Sequence, residues 1–268
     1  MAPKYTHAIV QRISASFQNI GDIDLEIAKK QHEAYVNILR EIGLDVIELP
    51  PDDGLPQGIF VENSAVICNG VALIAKSNSI PRQKENDALK IVLKKELDIP
   101  TVDIEEESAY LDGCDILFTG REFFVGLTDK TNEGGAVALA EAFPEYPCVP
   151  IKVNGDKCLK YYISMAGPNL LAVSDSEISQ DILKRIERVA SFSYQTLTLD
   201  EEFAANMLYI NGYLIHRSPL EIPESHRTIK SKIDTPTRNV DISEISRFSS
   251  GLTSCCLLLR RWKSVRNI

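Results

Sequence analysis

The feature that most constrains this chain is an internal repetition. Five segments, spaced roughly 50 residues apart, share one plan of an extended run, a tight turn and a second extended run. The first covers residues 60–74 and turns at Asn69-Gly70. Asn-Gly marks a two-residue hairpin because both central residues of a type I′ turn need positive φ. The second runs from Leu111 to Gly120 and returns over Glu122 to Gly126. The third pairs Lys160 to Met165 with Leu170 to Val173 across Gly167-Pro168-Asn169, and the fourth pairs Ala205 to Ile210 with Tyr213 to His216 across Asn211-Gly212. The fifth is Ser254 to Leu259, against which a strand from Thr6 to Arg12 is expected to close.

Helical periodicity falls between these hairpins. It is strongest over residues 24–42, 82–97, 133–143 and 176–190, with Asp24 and Asn132 as expected N-caps, and weaker over 224–231 and 242–248. The repeating unit is therefore helix, strand, hairpin. Five such units without an intervening linker predict one α/β domain over residues 1–268, a closed ring of small sheets around a central channel. A doubly wound parallel sheet is the competing architecture, and the tight antiparallel hairpins speak against it.

Composition narrows the functional classes. Apolar residues make up 44% and charged residues 25%, enough apolar surface for a sizeable core. The net charge of −9 and the lack of a basic run argue against nucleic acid and anionic membrane as partners. No apolar stretch reaches membrane-spanning length, the first residues carry no signal-peptide pattern, and no glycine-rich nucleotide loop is present, so no cofactor is expected. Six cysteines without a CxxC pair suit free thiols in a reducing, cytoplasmic setting.

In a ring of this kind chemistry belongs where polar residues interrupt the apolar hairpin starts. Four places qualify: Glu62-Asn63, Asp112 to Asp115, Asp156 to Cys158, and Cys255-Cys256. Taken singly, a carboxylate at a strand end reads as a cap and a cysteine before leucines as a small buried hydrophobe. Their shared position at successive units favours one common site.

The segments Thr6 to Val10, Phe60-Val61-Glu62, Leu111-Asp112-Gly113, Asp115 to Leu127, Ser164 to Leu170 and Ser254-Cys255-Cys256 together resemble animal dimethylarginine dimethylaminohydrolases, in order and over nearly the whole chain. The resemblance implies the pentein fold, a five-bladed αβ propeller of ββαβ repeats. It also implies hydrolysis of methylated arginine to citrulline and a methylamine through a covalent thiouronium, by a monomer or weak homodimer acting on a small amino acid. Nitric oxide regulation would follow from that substrate. By the same resemblance Cys255 takes the nucleophile position, with Cys256 as its buried neighbour. Asp112 takes that of the catalytic carboxylate, Glu62 that of a guanidinium-binding acid, and Arg82 that of the arginine holding the substrate carboxylate.

The departures carry information too. Cys158 stands where the family has its catalytic histidine; of the four histidines, His7, His32, His216 and His226, His7 and His216 sit in segments that resemble structural parts of the family and are no evident substitutes. Gln57 and Asn63 stand where the family has acids, Lys130 where it has a second carboxylate-binding arginine, and Ser249 and Ser250 replace a valine and an aspartate. Amides keep hydrogen-bonding capacity while removing charge, which suits a neutral ureido group such as that of citrulline. Three readings follow: a dimethylarginine hydrolase, a citrullinase-like hydrolase releasing ornithine, and a non-catalytic ring that binds an amino acid or a protein. The thiols open a further expectation. If Cys114, Cys158 and Cys255 converge with Asp112 or Glu62 they suit zinc, and Cys158 with Cys255 suits a redox disulfide.

Overall fold

The computed structural model describes residues 4–248 and 251–260. Ser249 and Ser250 therefore lie outside the described residues. The strands are β1 (His7–Gln11), β2 (Asp45–Leu49), β3 (Ala65–Cys68), β4 (Val71–Ile74), β5 (Thr101–Val102), β6 (Ile116–Phe118), β7 (Phe123–Leu127), β8 (Cys148–Lys152), β9 (Ile163–Gly167), β10 (Leu170–Ser174), β11 (Gln195–Leu199), β12 (Leu208–Ile210), β13 (Tyr213–Arg217), β14 (Thr237–Val240) and β15 (Leu257–Leu259). The helices are α1 (Leu25–Glu41), α2 (Ile80–Ile91), α3 (Glu133–Ala142), α4 (Leu159–Tyr162), α5 (Glu177–Val189) and α6 (Pro223–Lys232).

The strands form five three-stranded sheets: β15-β1-β2, β3-β4-β5, β6-β7-β8, β9-β10-β11 and β12-β13-β14. In each, the middle strand pairs antiparallel with one neighbour and parallel with the other. In four of the sheets the antiparallel partner comes from the hairpin and the parallel partner returns through a helix, and in the first β15 supplies the antiparallel strand from a distant part of the chain, so each sheet has the ββαβ plan. The first sheet closes the ring, setting His7 opposite Leu259 and Ile9 opposite Leu257. The five-bladed αβ propeller expected from the repeats is the observed fold. The strand expected between each helix and hairpin is the parallel outer strand of the preceding sheet.

Local chemistry accounts for the elements. Asn69 and Gly70 take φ of 49° and 80°, and Asn211 and Gly212 take 51° and 92°, the doubly positive geometry of type I′ turns. The Asp24 carboxylate accepts from the backbone N–H of Glu26 and Ile27, Asn132 from Gly135, and Ser176 from Ser179, so all three helix starts are capped. Residues 92–96 continue α2 as a turn of π-helix, and residues 245–248 form a 3₁₀ turn rather than a helix. No described helix is long and apolar enough to cross a membrane.

The inner strands β3, β6, β9, β12 and β15 all contribute to one axial cavity of about 140 Å³. Glu62, Gly113, Lys160 and Thr253, from the turns that lead into four of these strands, line it as well. The ring thus gathers the starts of its inner strands around one axis.

Candidate active site

Each inner strand is preceded by one turn of helix, not by further strand. These turns are Val61–Ser64 before β3, Gly113–Asp115 before β6, α4 before β9, Glu202–Ala205 before β12 and Leu252–Cys255 before β15. The extended run expected from Leu111 is therefore corrected at residues 113–115, which form a helical turn. Asp112 is an N-cap whose carboxylate accepts from Cys114 N at 3.0 Å, and Gly113 begins the turn. A neighbouring blade dictates this. A Cβ on Gly113 would lie 1.9 Å from the carbonyl oxygen of Glu62, so the two turns approach closely only because residue 113 has no side chain.

Polar bonds lock the turns to one another. Lys160 Nζ meets Glu62 Oε1 at 2.5 Å, with Lys160 buried and Glu62 largely so. Asn206 donates to the Lys160 carbonyl at 2.6 Å and to Thr253 Oγ1 at 3.0 Å, and accepts from Thr253 N at 3.2 Å. Asp115, fully buried, accepts from Leu159 N at 2.9 Å and from the hydroxyls of Thr128 and Thr131 at 2.8 Å each. Sequence reasoning placed Asp115 among the candidate positions but named none of Lys160, Asn206 and Thr131. The available signal was a polar side chain in an otherwise apolar hairpin start, as in Ala205-Asn206-Met207.

Arg82 lies near the start of α2. Its guanidinium pairs with the buried Glu85 and donates from Nη1 to the Gln57 carbonyl at 3.2 Å, while Gln57 N donates to Glu85 Oε1 at 3.0 Å. Arg82 Nη2 is buried without a partner. Glu62 Oε2 and Asn63 Oδ1 are likewise buried acceptors without a donor. Unpaired buried polar atoms are costly; others among the described residues are on His32, Asn86, His216, Arg217 and His226, while these three belong to residues nominated for substrate binding.

Burial dominates the electrostatics. It pushes the Glu62 carboxyl up to about 7 against the downward pull of Lys160, and the Asp115 carboxyl up to about 7 with Asp112 adding to the shift. Burial also raises Glu85 despite Arg82. Cys255 is raised far above an ordinary thiol, first by burial and then by Cys256 and Glu62, with Arg217 acting in the opposite direction. Cys114 is raised well above the ordinary range by burial and by its contact with Cys158. Around Lys130, Cys114, Asp112, Cys158 and Asp129 together outweigh desolvation and raise the ammonium.

The thiols do not converge as expected. Cys158, N-cap of α4 and half-buried, pairs with Cys114. Cys255 instead has its thiol 3.6 Å from the Gly251 carbonyl, and Cys256 accepts from the Tyr35 hydroxyl at 3.2 Å. Among the described residues the cluster with metal-ligand character is Cys114, Asp115 and Cys158, their ligand atoms within 4.8 Å of one another, and Cys255 is not a member. Cys114 and Cys158 diverge from Cys255 because Cys114 sits on the helical turn after Asp112, which places it toward α4. The histidines have other surroundings. His7 meets Asp45 at 3.4 Å, His32 is buried on α1, and His216 contacts the Arg217 carbonyl with its ring 5.4 Å from that of His226.

Comparison with known proteins agrees with this architecture. Residues 4–258 match the family described as N,N dimethylarginine dimethylhydrolase, eukaryotic. The Homo sapiens protein DDAH2 is 32% identical, over 95% of this chain and 94% of its own. A solved structure of the Pseudomonas aeruginosa dimethylarginine dimethylaminohydrolase in complex with citrulline superposes with a TM-score of 0.82 at 21% identity, covering 96% of this chain and 100% of that one. The N-terminal domain of ArgZ, a cyanobacterial arginine dihydrolase, gives 0.76 at 15% identity, covering 95% and 98%. At these identities the two structures speak to the fold.

Proposed function

Since the chain belongs to the eukaryotic N,N dimethylarginine dimethylhydrolase family, we propose that it hydrolyses the terminal C–N bond of an arginine-derived amino acid with Cys255 as nucleophile. The observation that carries the reading is the set of unpartnered buried atoms. One donor, Arg82 Nη2, and two acceptors, Glu62 Oε2 and Asn63 Oδ1, match the two ends of such a molecule. Arg82 takes the α-carboxylate, with Lys130 as a second cation. Glu62 and Asn63 accept from the guanidinium N–H groups, and Gln57 lines the same site.

In the free protein Cys255 is a thiol. A guanidinium bound against Glu62 places a positive charge beside it and favours the thiolate. The sulfur then bonds to the guanidinium carbon, the C–N bond to the dimethylamino group breaks, and the amine leaves with a proton. Water adds to the resulting thiouronium, the S–C bond breaks and citrulline is released, Cys255 recovering its proton. Asp112 and Cys158 are the groups we assign to proton handling, in place of a histidine.

A second reading is favoured by the amides at Gln57 and Asn63 and by the Lys160 ion pair that offsets the charge of Glu62. A neutral ureido group fits such a head pocket, giving citrulline as substrate and ornithine as product. Incubation of the purified protein with dimethylarginine and with citrulline, followed by mass spectrometry, separates the two. The first reading expects citrulline and dimethylamine in equal amounts, abolished in Cys255→Ser. The second expects ornithine from citrulline. Binding of either compound without any product would sink both and leave a non-catalytic amino-acid binder.

A further inference from the structure

We propose that Cys114, Cys158 and Asp115 form a binding site for a thiophilic divalent cation, zinc in particular, distinct from Cys255. Three features carry it. The two sulfurs and a carboxylate oxygen lie within 4.8 Å of one another. Two thiolates bound at the usual Zn–S distance in a tetrahedron stand about 3.8 Å apart, so the site closes around a metal with side-chain adjustments of an ångström or less. The ligands are also held from behind. Asp115 is fixed by the hydroxyls of Thr128 and Thr131 and by Leu159 N, and that last bond also ties the backbone beside Cys158 to the turn bearing Cys114. Outer contacts of this kind orient metal ligands and sharpen affinity.

The charges complete the argument. Binding replaces the two thiol protons, so the bound ligand set of two thiolates and one carboxylate exceeds the cation by one negative charge. The Lys130 ammonium, which Cys114 and Cys158 both influence, lies close enough to offset it. A water is the candidate for the fourth position. Cys114 is buried but Cys158 is half-buried, which leaves an approach for the ion. Because protons are displaced, affinity falls as pH is lowered.

The test uses the full-length protein, reduced and stripped with chelator, then titrated with zinc chloride alone. We expect one zinc per chain after desalting, and with cobalt as substitute an absorption from thiolate-to-cobalt charge transfer. Cys158→Ser, at the more exposed ligand, weakens binding by more than the about 10–100-fold typical of losing an outer partner, and Cys114→Ser does the same. Cys255→Ser and Cys68→Ser retain one zinc, with circular dichroism reporting the fold of each variant. The proposal is overturned if the reduced protein retains no zinc, if the Cys114→Ser, Cys158→Ser double variant binds as well as the parent, or if Cys255→Ser loses the metal. The metal site shares Cys158 with the proposed hydrolase machinery, but metal binding is read without turnover, so the two outcomes are distinguishable.

Discussion

Glu62 shows how one side chain can carry both a cost and a function. Its carboxyl titrates near 7 in the fold against an ordinary 4.5, because burial outweighs the neighbouring ammonium. A raised acid binds its proton more tightly folded than unfolded. Its contribution to stability is therefore complete below pH 4.5 and is lost as pH rises through 7. The slope is at most about 1.4 kcal/mol per pH unit in that window. Glu62→Gln removes this dependence, so we predict that chemical denaturation at pH 4.5 and at pH 7 will show the variant gaining stability relative to the parent as pH rises. A difference that stays flat would mean that Glu62 is ionised throughout. Cys255 gives a second prediction at this scale. Neutral iodoacetamide should label it slowly at neutral pH, since burial keeps the thiol protonated. A cationic haloacetamidine, held by Glu62, should label it markedly faster, and peptide mapping would show whether the preference lies at Cys255 or at another of the six cysteines.

At the scale of elements, the single helical turns before the inner strands are the working parts, and they depend on one another. Replacing Gly113 with alanine pushes a methyl group against the Glu62 carbonyl. We expect a loss of about 1–3 kcal/mol in urea denaturation together with loss of turnover, because the displaced turns carry Glu62 and Asp112. Asn132 tests the link from helix to site. Its side chain accepts from Gly135 N and Tyr110 N at 3.0 Å each and donates to the Ser108 carbonyl at 2.7 Å, so it caps α3 and also fixes the strand approach to Asp112. Asn132→Ala should cost about 2 kcal/mol or more, above the roughly 1 kcal/mol of an ordinary cap. What the sequence made legible follows the same division. The Asn-Gly turns, the caps Asp24 and Asn132 and the amphipathic helices were readable because neighbouring residues decide them. The bounds of the outer strands were not, since segments such as Thr101–Val102 and Gln195–Leu199 are short and largely exposed and take their conformation from pairing. The site turns were misread as strand because contacts between blades hold them in place, Gly113 against Glu62 and Asp115 against Leu159. Family resemblance nominated Cys255, Asp112, Glu62 and Arg82, and the expected meeting of Cys114 with Cys158 is observed, whereas the exclusion of Cys255 from their cluster became visible only in three dimensions.

For the molecule as a whole, the governing fact is that the ring closes between distant parts of the chain. Strand β1 pairs with β15 on one side and β2 on the other, and the Asn211 side chain, from the β12–β13 turn, accepts from Tyr5 N at 2.9 Å and donates to the Tyr5 carbonyl at 2.8 Å. A chain ending after Cys256 would lack β15, expose the edge of β1 and free the turn that carries Cys255. We predict that such a truncation yields no folded monomer and elutes as aggregate in size-exclusion chromatography, with no cooperative thermal transition. The seam also imposes an order on biosynthesis. His7 is made before its partner Leu259, about 250 residues further along the chain. At about 5–20 residues per second, tens of seconds separate them on the ribosome. For that interval the later blades can form and stack while the inner edge of β1 waits uncovered, and the pocket has neither its nucleophile turn nor its final wall. Chaperone dependence in the cell should therefore centre on this strand, and reactivity at the site should arrive only once Leu257–Leu259 have paired with it.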